Sequence, residues 1–398
     1  MVLSSYFTQR GEPALLSKWD RAESAIRAGA NLVLELPVFF SCHNAGVFAA
    51  GAVDILAATG LVRSLSFGME EPGFDVSPLL DIVVHEPATF KDTLKKYLNS
   101  GFSYVKARAK ALESIKPEYG GFLSSPNNAL ALSYMEHVTR KAYDISFVPI
   151  QRRGSGYHDQ SLAGSFSGAS AIRRALAEGS RTEAEKALPS STGAILKRCL
   201  EEGRYVLSKD FLWRIARTLL LRTTAQTLAL SSEMSEGMEN RLLRFAPQSI
   251  SWDDFIGKCV SARYPRGRIQ RQTTHFLLGI KHEENRELQK SGPAYIHPLA
   301  ADEAGIGMLR TMRKTALLPV TGKLPLLMQG AGGRLAALEM TAAALWENLN
   351  PFFRPDSEKK RFLFTTTSCA EAENVPADAG KRREEPFRER PHRTGRFP

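Results

Sequence analysis

The chain has 398 residues, of which 43% are hydrophobic and 24% charged, and its 53 Lys and Arg outnumber its 42 Asp and Glu to give a net charge of +11. This composition excludes a disordered or fibrous protein, and the length suggests two domains, each able to bury its own core. The excess of basic residues favours a polyanionic partner, without distinguishing nucleic acid, nucleotide and membrane.

The cysteine and targeting patterns predict a cytoplasmic protein. Four cysteines at positions 42, 199, 259 and 369 show no CxxC spacing, which supports neither a zinc site nor a disulfide framework. Scattered single thiols fit a reducing compartment. The first residues lack the basic and apolar regions of a secretory signal. The most apolar stretch, 31–62, is interrupted by charged residues and proline, so we expect no membrane span.

The first zone, residues 1–182, alternates short apolar runs with helical patterns. The apolar runs are compact, as is typical of buried parallel strands. The predicted elements, in chain order, are a strand at 31–37, a helix at 45–58, a strand at 63–68, helices at 88–98 and 127–140, and a strand at 145–150. Alternation of strands and helices predicts an α/β layer with a parallel sheet.

Two further zones follow in the chain. Residues 183–364 repeat apolar residues at helical spacing and are rich in Leu, Ala and Arg, which predicts a mainly helical domain. Residues 365–398 contain few aliphatic residues, several prolines and dense charge. We expect this last zone to be a disordered tail.

Two positions in the first zone are candidates for contact with a nucleotide. Gly68 directly follows a strand, at the position where the carboxyl end of a strand opens onto a ligand crevice and where a glycine lets backbone approach closely. The alternative for Gly68 is a simple turn. Asn127 opens a helix after Ser125 and Pro126. Its amide can both donate to and accept from a purine or ribose, but the segment also suits plain helix capping.

The last strand of the first zone leads into QRRGSGYHD, at 151–159. Arg152 precedes a Gly-Ser-Gly turn and suits recognition of phosphate or carboxylate, since guanidinium binds such oxygens bidentately. A solvated basic loop is the alternative. His158 and Asp159 suggest a general base with an orienting acid, although adjacent residues seldom pair in this way.

The next turn, SFSGASAIRRAL at 165–176, enters a helix. Ser170 and Arg173 stand in its first turn, where hydroxyls, free backbone amides and an arginine form an anion site. A plain helix cap is the alternative reading of the same residues.

Two basic runs without an acidic residue lie in the second zone, and each carries a charge of +5. The first run, 258–271, contains Lys258, Arg263, Arg266, Arg268 and Arg271, with Tyr264 among them. The second run, 304–338, contains Arg310, Arg313, Lys314, Lys323 and Arg334. Such basic residues fit contacts to an RNA backbone, and the Tyr264 ring between them fits stacking on a base. A solvated surface is the alternative.

Taken in order, these segments resemble one family, the bacterial tRNA(Met) cytidine acetate ligases, among the nucleotidyltransferases that carry an HxGH motif. The similarity runs from Phe7 to about Asn350 and rests on FTQRGEPALLSKWDRAESAIRAGANLVLELP, FAAGAVDIL, LSFGMEE, SPNNALALSYMEH, RRGSGYHD, GASAIRRAL, RYPRGRIQRQTTHFLLGI and RKTALLPVTGK. The resemblance implies a Rossmann-like nucleotidyltransferase domain followed by a helical tRNA-binding domain.

The resemblance also implies a reaction and its site. Such enzymes use ATP to activate acetate as acetyl-adenylate, and then acetylate the exocyclic amine of the wobble cytidine in elongator tRNA(Met). It implies contacts with ATP at Gly68, Asn127 and Arg152, and with its phosphates at Ser170 and Arg173. We expect Mg²⁺ to accompany the nucleotide without a dedicated protein cage. We expect neither a membrane nor a stable protein partner.

The chain departs from the family at its start. The family opens with a strand and an ExNPFHxGH turn whose histidines face the ATP phosphates, and this segment is absent before QRGEP at 9–13. HNAG at 43–46 lies where the family has an ordinary helix, so it is not counted as the motif. The catalytic residues are therefore unassigned. We expect Met1 to be an internal methionine mistaken for the start, because deletion of a central strand would expose an apolar sheet edge.

Two other functions stay open on the sequence alone. The first is an adenylyltransferase of the same fold that acts on a small metabolite and shows no dependence on RNA. The second is a catalytically inactive remnant that binds tRNA with a steep salt dependence. The remnant would show no acetate-dependent exchange of pyrophosphate into ATP.

Overall fold

The structure is a computed structural model that describes residues 1–152, 167–324, 328–352 and 363–364. Backbone contacts divide the chain into Met1–Thr366 and Thr367–Pro398. The predicted tail at 365–398 and the His158–Asp159 pair lie outside the described residues.

The strands of the described ranges form two sheets. They are β1 Val2–Ser4, β2 Leu32–Leu36, β3 Ser64–Met69, β4 Ser146–Gln151, β5 Pro298–Ala301 and β6 Leu363–Phe364. The larger sheet has the order β1-β2-β5-β6, in which β5 runs antiparallel to β2 and the other neighbours are parallel. The smaller sheet pairs β3 with β4 in parallel.

Helices make up most of the remaining described structure. Those of the first half are α1 Lys18–Arg27, α2 Val38–Ser41, α3 Ala45–Ala58, α4 Ser77–His85, α5 Ala88–Asn99, α6 Tyr104–Glu113, α7 Pro117–Ser124, α8 Pro126–Arg140, α9 Ala169–Ala177 and α10 Arg181–Lys186. Those of the second half are α11 Ser190–Glu201, α12 Asp210–Arg222, α13 Ala225–Ala229, α14 Met238–Phe245, α15 Trp252–Cys259, α16 Arg266–Leu278, α17 His282–Ser291, α18 Glu303–Thr315 and α19 Ala331–Asn348. Within the described ranges, no helix combines the length and apolar character needed to cross a membrane.

The strands and helices predicted in the first zone are confirmed, although β1 and several helices, such as α1, α4 and α6, were not predicted. The three predicted strands are β2, β3 and β4, and the predicted helix at 45–58 is α3 with the same ends. The other two predicted helices are α5 and α8, each within one residue of its predicted bounds. The α/β class is therefore correct, but the predicted strands do not form one parallel sheet. β2 belongs to the larger sheet, where β5 runs antiparallel to it, whereas β3 and β4 form the smaller sheet.

The predicted burial of these strands is correct only for β2. Every residue of β2 is buried, whereas β3 is accessible at alternate residues and β4 is exposed at every residue except the partly buried Phe147. Phe67 and Phe147 point into an apolar cluster shared with α8, while Val148 and Ile150 are 44% and 57% exposed. The apolar run at 145–150 misled the burial prediction because such a run does not reveal which neighbours the strand will have.

The helical zone also contributes to the larger sheet. β5 and β6 come from this zone, and β5 pairs directly with β2. The main core likewise combines both zones: Tyr6 packs against Trp346, with ring centroids 5.4 Å apart. The zone is mainly helical, as predicted, but β5 is too short at four residues to be recognised by periodicity. The domain boundary at residue 182 stays a prediction.

Candidate functional site

A first cluster of the predicted residues lies at the carboxyl ends of β3 and β4. Gly68 is opposite Ile150 in the ladder, and the Arg152 backbone N–H donates to the carbonyl of Met69 at 3.0 Å. A Cβ atom at Gly68 would lie 3.2 Å from Cγ of Arg152. The aliphatic part of Arg152 therefore passes over the bare glycine, and the structure brings these two predicted contacts together at an exposed strand end.

Asn127 reaches the same strand ends through Glu70, which sequence reasoning missed. The Asn127 Nδ2 donates to Glu70 Oε1 at 2.5 Å, and the Asn128 backbone N–H donates to Glu70 Oε2 at 3.0 Å. The Gln151 side chain in turn donates to the Glu70 carbonyl at 2.8 Å. Glu70 therefore joins β3, β4 and the start of α8. Its position directly after a strand end was the available signal.

Asn128 has a structural task that differs from that of its neighbour. Its side chain is fully buried. Its Oδ1 accepts from the backbone N–H groups of Glu70 and Glu71 at 2.9 and 3.3 Å. Its Nδ2 donates to Glu71 Oε1 and to the carbonyl of Phe122 at 3.2 and 3.1 Å. Asn128 therefore anchors the helix start, whereas Ser125, expected as a cap, makes no side-chain capping bond.

This difference predicts separate effects for the two neighbouring asparagines. Asn128→Ala leaves several buried backbone groups unsatisfied and should lower the free energy of unfolding by about 2–3 kcal/mol. Asn127→Ala removes a half-buried contact and should change the free energy of unfolding by less than about 1 kcal/mol. If Asn127 touches the nucleotide, its loss should weaken ATP binding about tenfold. Urea unfolding measures the stability of both variants, and ATP titration measures the affinity of Asn127→Ala. Unchanged ATP affinity in Asn127→Ala would show that Asn127 does not contact the nucleotide.

A second cluster lies at the start of α9. The N-cap of this helix is Gly168, which offers no side chain to the first backbone amides. The Arg10 Nη1 donates to Ser170 Oγ at 3.2 Å, and the Arg173 Nη2 donates to the Pro13 carbonyl at 3.2 Å. Ser167 Oγ is buried and has no hydrogen-bond partner among the residues that the structure describes. Uncapped amides, a hydroxyl without a partner and two arginines together form a site suited to an anion.

The electrostatics of this second cluster favour an anionic ligand. Burial lowers the pKa of Arg173; Glu12 counteracts this, while the nearby charge of Arg10 lowers the pKa further. Arginine still keeps its proton at neutral pH. Two guanidinium groups are therefore held where they repel each other, and a bound phosphate would relieve that repulsion.

The turn that carries Arg10 is held by α16. Gly11 has φ of +71°, and a Cβ atom there would lie 2.5 Å from the backbone N of Arg271. The Thr274 Oγ1 donates to the Gly11 carbonyl at 2.9 Å, and the Arg271 Nη1 donates to the Gln9 carbonyl at 3.3 Å. Only glycine fits this close approach and this backbone conformation. The QRGEP turn is therefore a rigid support that aims Arg10 at α9.

The two clusters follow each other along the chain. Arg152 ends the first, and Ser167 begins the second. The chain between them, 153–166, lies outside the described residues.

An open cleft of about 600 Å³ adjoins the first cluster. It is lined by Glu71, Phe74, Asp75, Glu118 and Lys116, among others, and the lysine is paired with Glu118 at 2.5 Å. Because carboxylates dominate this lining, the cleft repels phosphates. The second cluster, with its two arginines, is therefore better suited to an anion than this cleft.

Acidic residues from other segments lie beside the predicted RNA-binding run 258–271. Lys258 pairs with Asp254 at 2.8 Å, Arg263 pairs with Glu236 at 2.6 Å, and Arg266 pairs with Asp253. The run contains no acidic residue in its sequence, but the fold places acidic residues from outside the run beside three of its basic side chains.

The last two basic residues of this run, Arg268 and Arg271, contact other parts of the protein. Arg271 supports the QRGEP turn, and Arg268 lies over the ring of Tyr264 at 4.5 Å. The Tyr264 ring, expected to stack on a base, is only 5% exposed. Its hydroxyl donates to Glu236 Oε2 at 2.7 Å. The expected stacking role of Tyr264 is wrong, because the ring belongs to the protein core.

HNAG at 43–46 is structural, which agrees with its exclusion as a nucleotide motif. Asn44 caps α3 by accepting from the Val47 N–H at 3.2 Å. His43 is 1% exposed, and its Nε2 lies 3.1 Å from Asn285 Oδ1. Burial lowers the pKa of His43 to about 4. In the described ranges, no three or more His, Cys, Asp or Glu side chains are placed to hold a metal ion together.

Comparisons with known proteins extend these observations. A family model described as HIGH Nucleotidyl Transferase matches residues 1–361. The tRNA(Met) cytidine acetate ligase of Halothermothrix orenii is 31% identical over 374 residues, covering 90% of this chain and 89% of the relative. That of Thermoanaerobacter sp. is 34% identical over 325 residues, covering 81% and 80%.

Solved structures show the same similarity. The apo form I crystal structure of Thermotoga maritima TmcAL superposes with a TM-score of 0.88 at 30% identity, covering 92% of each chain. The form II structure of that protein, bound with alpha-thio ATP, has a TM-score of 0.83 at the same identity and coverage.

Proposed function

Because the chain belongs to the HIGH nucleotidyl transferase family, and within it to the tRNA(Met) cytidine acetate ligases, we propose that it joins acetate to elongator tRNA(Met) at the expense of ATP. In the first step an acetate oxygen attacks the α-phosphorus of ATP, and pyrophosphate leaves. In the second step the exocyclic amine of the wobble cytidine attacks the acetyl carbon, and AMP leaves. Both steps depend on positioning and charge stabilisation by the protein.

The convergence of Arg10, Ser170 and Arg173 at the uncapped start of α9 carries this proposal. These groups present positive charge and hydrogen-bond donors at one point, as a leaving pyrophosphate requires. Mg²⁺ enters as part of the nucleotide substrate, held by the phosphates themselves.

The first cluster takes the nucleoside end of ATP in this proposal. Gly68 leaves room for close approach at the strand end, and Asn127 supplies an amide whose orientation is fixed by Glu70. Arg152 extends from the same edge and is exposed, so its guanidinium is accessible to a phosphate. Glu70 acts here as a positioning residue, because its contact is with Asn127.

The tRNA occupies basic surfaces of the helical zone. The target cytidine must leave the stack of the anticodon loop, as chemistry on a base generally requires. The run 258–271 stays a proposed RNA contact, although three of its bases already have acidic partners. We place the reaction in the cytoplasm, with no membrane and no stable protein partner.

Two measurements test this function. Elongator tRNA(Met) is purified from cells that lack the gene and from the same cells after the gene is restored, and its nucleosides are analysed by mass spectrometry. Acetylcytidine should be absent from the first sample and present in the second. The purified chain should also exchange pyrophosphate into ATP only when acetate is present. Acetylcytidine that is unchanged in both strains would sink the ligase assignment. Binding of tRNA without exchange would instead support an inactive remnant, and exchange with another small acid but not acetate would support a metabolite adenylyltransferase.

A further inference from the structure

Helix α18 is fixed to the larger sheet at its first turn. The Asp302 side chain caps the helix by accepting from the Gly305 N–H at 2.8 Å, and it also accepts from the Asn31 side chain at 2.8 Å. A Cβ atom at Gly305 would lie 2.0 Å from the Asn31 carbonyl oxygen. The helix start therefore lies directly against the beginning of β2, at a distance that only glycine permits.

The other end of α18 is fixed to the end of α3. The Thr315 Oγ1 donates to the Thr59 carbonyl at 2.8 Å, and the Leu317 N–H donates to the Ala58 carbonyl at 2.8 Å. Gly60 has φ of +70°, and a Cβ atom there would lie 2.6 Å from the Thr315 carbonyl oxygen. With both ends fixed, the outward face of α18 is a preformed surface rather than one that must order on binding.

This outward face carries basic side chains without acidic partners. Arg310, Arg313 and Lys314 are all exposed. Among the described residues, no Asp or Glu oxygen forms an ion pair with any of the three. Basic side chains near the carboxyl end of a helix also interact favourably with the helix dipole. That interaction alone does not account for three basic residues at the same place. Lys323, shortly after the helix, is exposed as well.

The basic residues of α18 and those of the run 258–271 differ in their ion pairs, and this difference indicates which surface binds a polyanion more readily. An ionic contact with RNA gains free energy by releasing counterions from phosphates. A base that already pairs with a carboxylate must give up that pair, as Lys258, Arg263 and Arg266 would. Within the described ranges, Arg310, Arg313 and Lys314 have no such pair to break.

We infer that the exposed face of α18, formed by Arg310, Arg313 and Lys314, binds the phosphate backbone of the tRNA substrate. This inference rests on the proposed function and adds to it the surface that holds the RNA. The chemistry of recognition is phosphate contact by cationic side chains, so the face fixes the position of the tRNA and does not read its sequence.

The test is tRNA binding by a triple variant, R310A/R313A/K314A, of the full chain. Fluorescence anisotropy with elongator tRNA(Met) transcript should show affinity lowered about 10- to 100-fold near 100 mM salt, and a plot of log affinity against log salt less steep by about 2–3. ATP affinity and thermal unfolding should be unchanged, because the three side chains are exposed and belong to neither the first nor the second cluster.

A matched control removes three exposed lysines of α5 and α6, in K95A/K96A/K106A. This variant has the same net charge as the α18 variant and should keep wild-type affinity and salt dependence. Equal losses in both variants would overturn the inference, because they would indicate a general charge effect. Loss in a K258A/R263A/R266A variant with none in the α18 variant would overturn it in favour of the run 258–271. If the unsubstituted chain fails to bind tRNA, the proposed function fails as well.

Discussion

Replacing Glu35 by Gln is expected to lower the free energy of unfolding by about 3–5 kcal/mol, because it leaves a buried ammonium group without its ionised partner. Glu35 Oε1 lies 2.5 Å from Lys18 Nζ, and both side chains are fully buried. Its other oxygen lies 2.7 Å from His297 Nδ1. Burial opposes ionisation of Glu35, but Lys18 and His297 outweigh it and hold the pKa of this carboxyl well below its usual range.

A second buried carboxyl, Glu339, provides the matched comparison. It lies 3.6 Å from the same Lys18, yet burial, and next the charge of Glu35, raise its pKa well above the usual range. The opposite shifts of the two pKa values favour the proton on Glu339 and the negative charge on Glu35, which then faces Lys18. Glu339 accepts from the Val38 backbone N–H and from Ser5 Oγ. A glutamine amide can occupy the same place.

Glu339→Gln should therefore cost less than about 1 kcal/mol, because it replaces a neutral acid by a neutral amide of the same shape. Urea unfolding of the two variants at pH 7 measures the difference, which should be at least about 2 kcal/mol. If the two substitutions destabilise the chain equally, the carboxyl groups share the charge and the assignment of the proton to Glu339 is wrong.

Replacing Arg173 by Ala is expected to weaken ATP binding about 30-fold. The rate of acetate-dependent pyrophosphate exchange should fall more, by about 10²–10³-fold, because the transition state is affected as well as ATP binding. The guanidinium of Arg173 is held beside the uncapped start of α9 by the Pro13 carbonyl. A charge-assisted bond to phosphate is about twice as strong as a neutral one. Its stabilisation increases as negative charge develops on the leaving pyrophosphate.

Arg174 is a control that the chain itself supplies. It is the adjacent arginine on the same helix, but it is exposed and lies 3.6 Å from Glu178 one turn later. Arg174→Ala removes the same charge and should leave ATP affinity and exchange within about twofold of the unsubstituted chain. Arg173→Lys, which keeps the charge but not the fork of donors, should recover only part of the loss. Equal effects at 173 and 174 would show that overall charge, not the local geometry, governs binding.

The positions of the residues in the two clusters could be predicted from sequence because they depend on local signals. A glycine after a strand, an Asn at a helix start and an Arg in a first helical turn each have a position that the backbone period fixes. For this reason Gly68, Asn127 and Arg152 were predicted at strand and helix ends, where the structure brings them together. Glu70 and Arg10 were missed because their tasks depend on partners that are distant in sequence.

The charge of the second zone could not be predicted in the same way. In the sequence, both basic runs look alike, since each carries five bases and no acid. In the fold, Glu236 and Asp253 come to lie beside Arg263 and Arg266, while the outward face of α18 receives no carboxylate within the described residues. Net charge follows from composition alone, whereas the number of basic side chains without an ion-pair partner depends on which side chains the fold places next to each other.

The sequence by itself determined the α/β class, three strands and some of the helices of the first zone, and the residue types suited to a nucleotide, because periodicity and strand or helix ends are local properties. Only the tertiary structure decided which residue neutralises which charge: that the pKa of Glu35 is lowered and that of Glu339 is raised around one Lys18, that Tyr264 is buried, and that Arg310, Arg313 and Lys314 form no ion pair within the described residues. The physical reason is that desolvation and Coulomb interactions depend on distances of a few ångströms. Such distances arise between segments that the chain separates widely, and no spacing along the sequence encodes them.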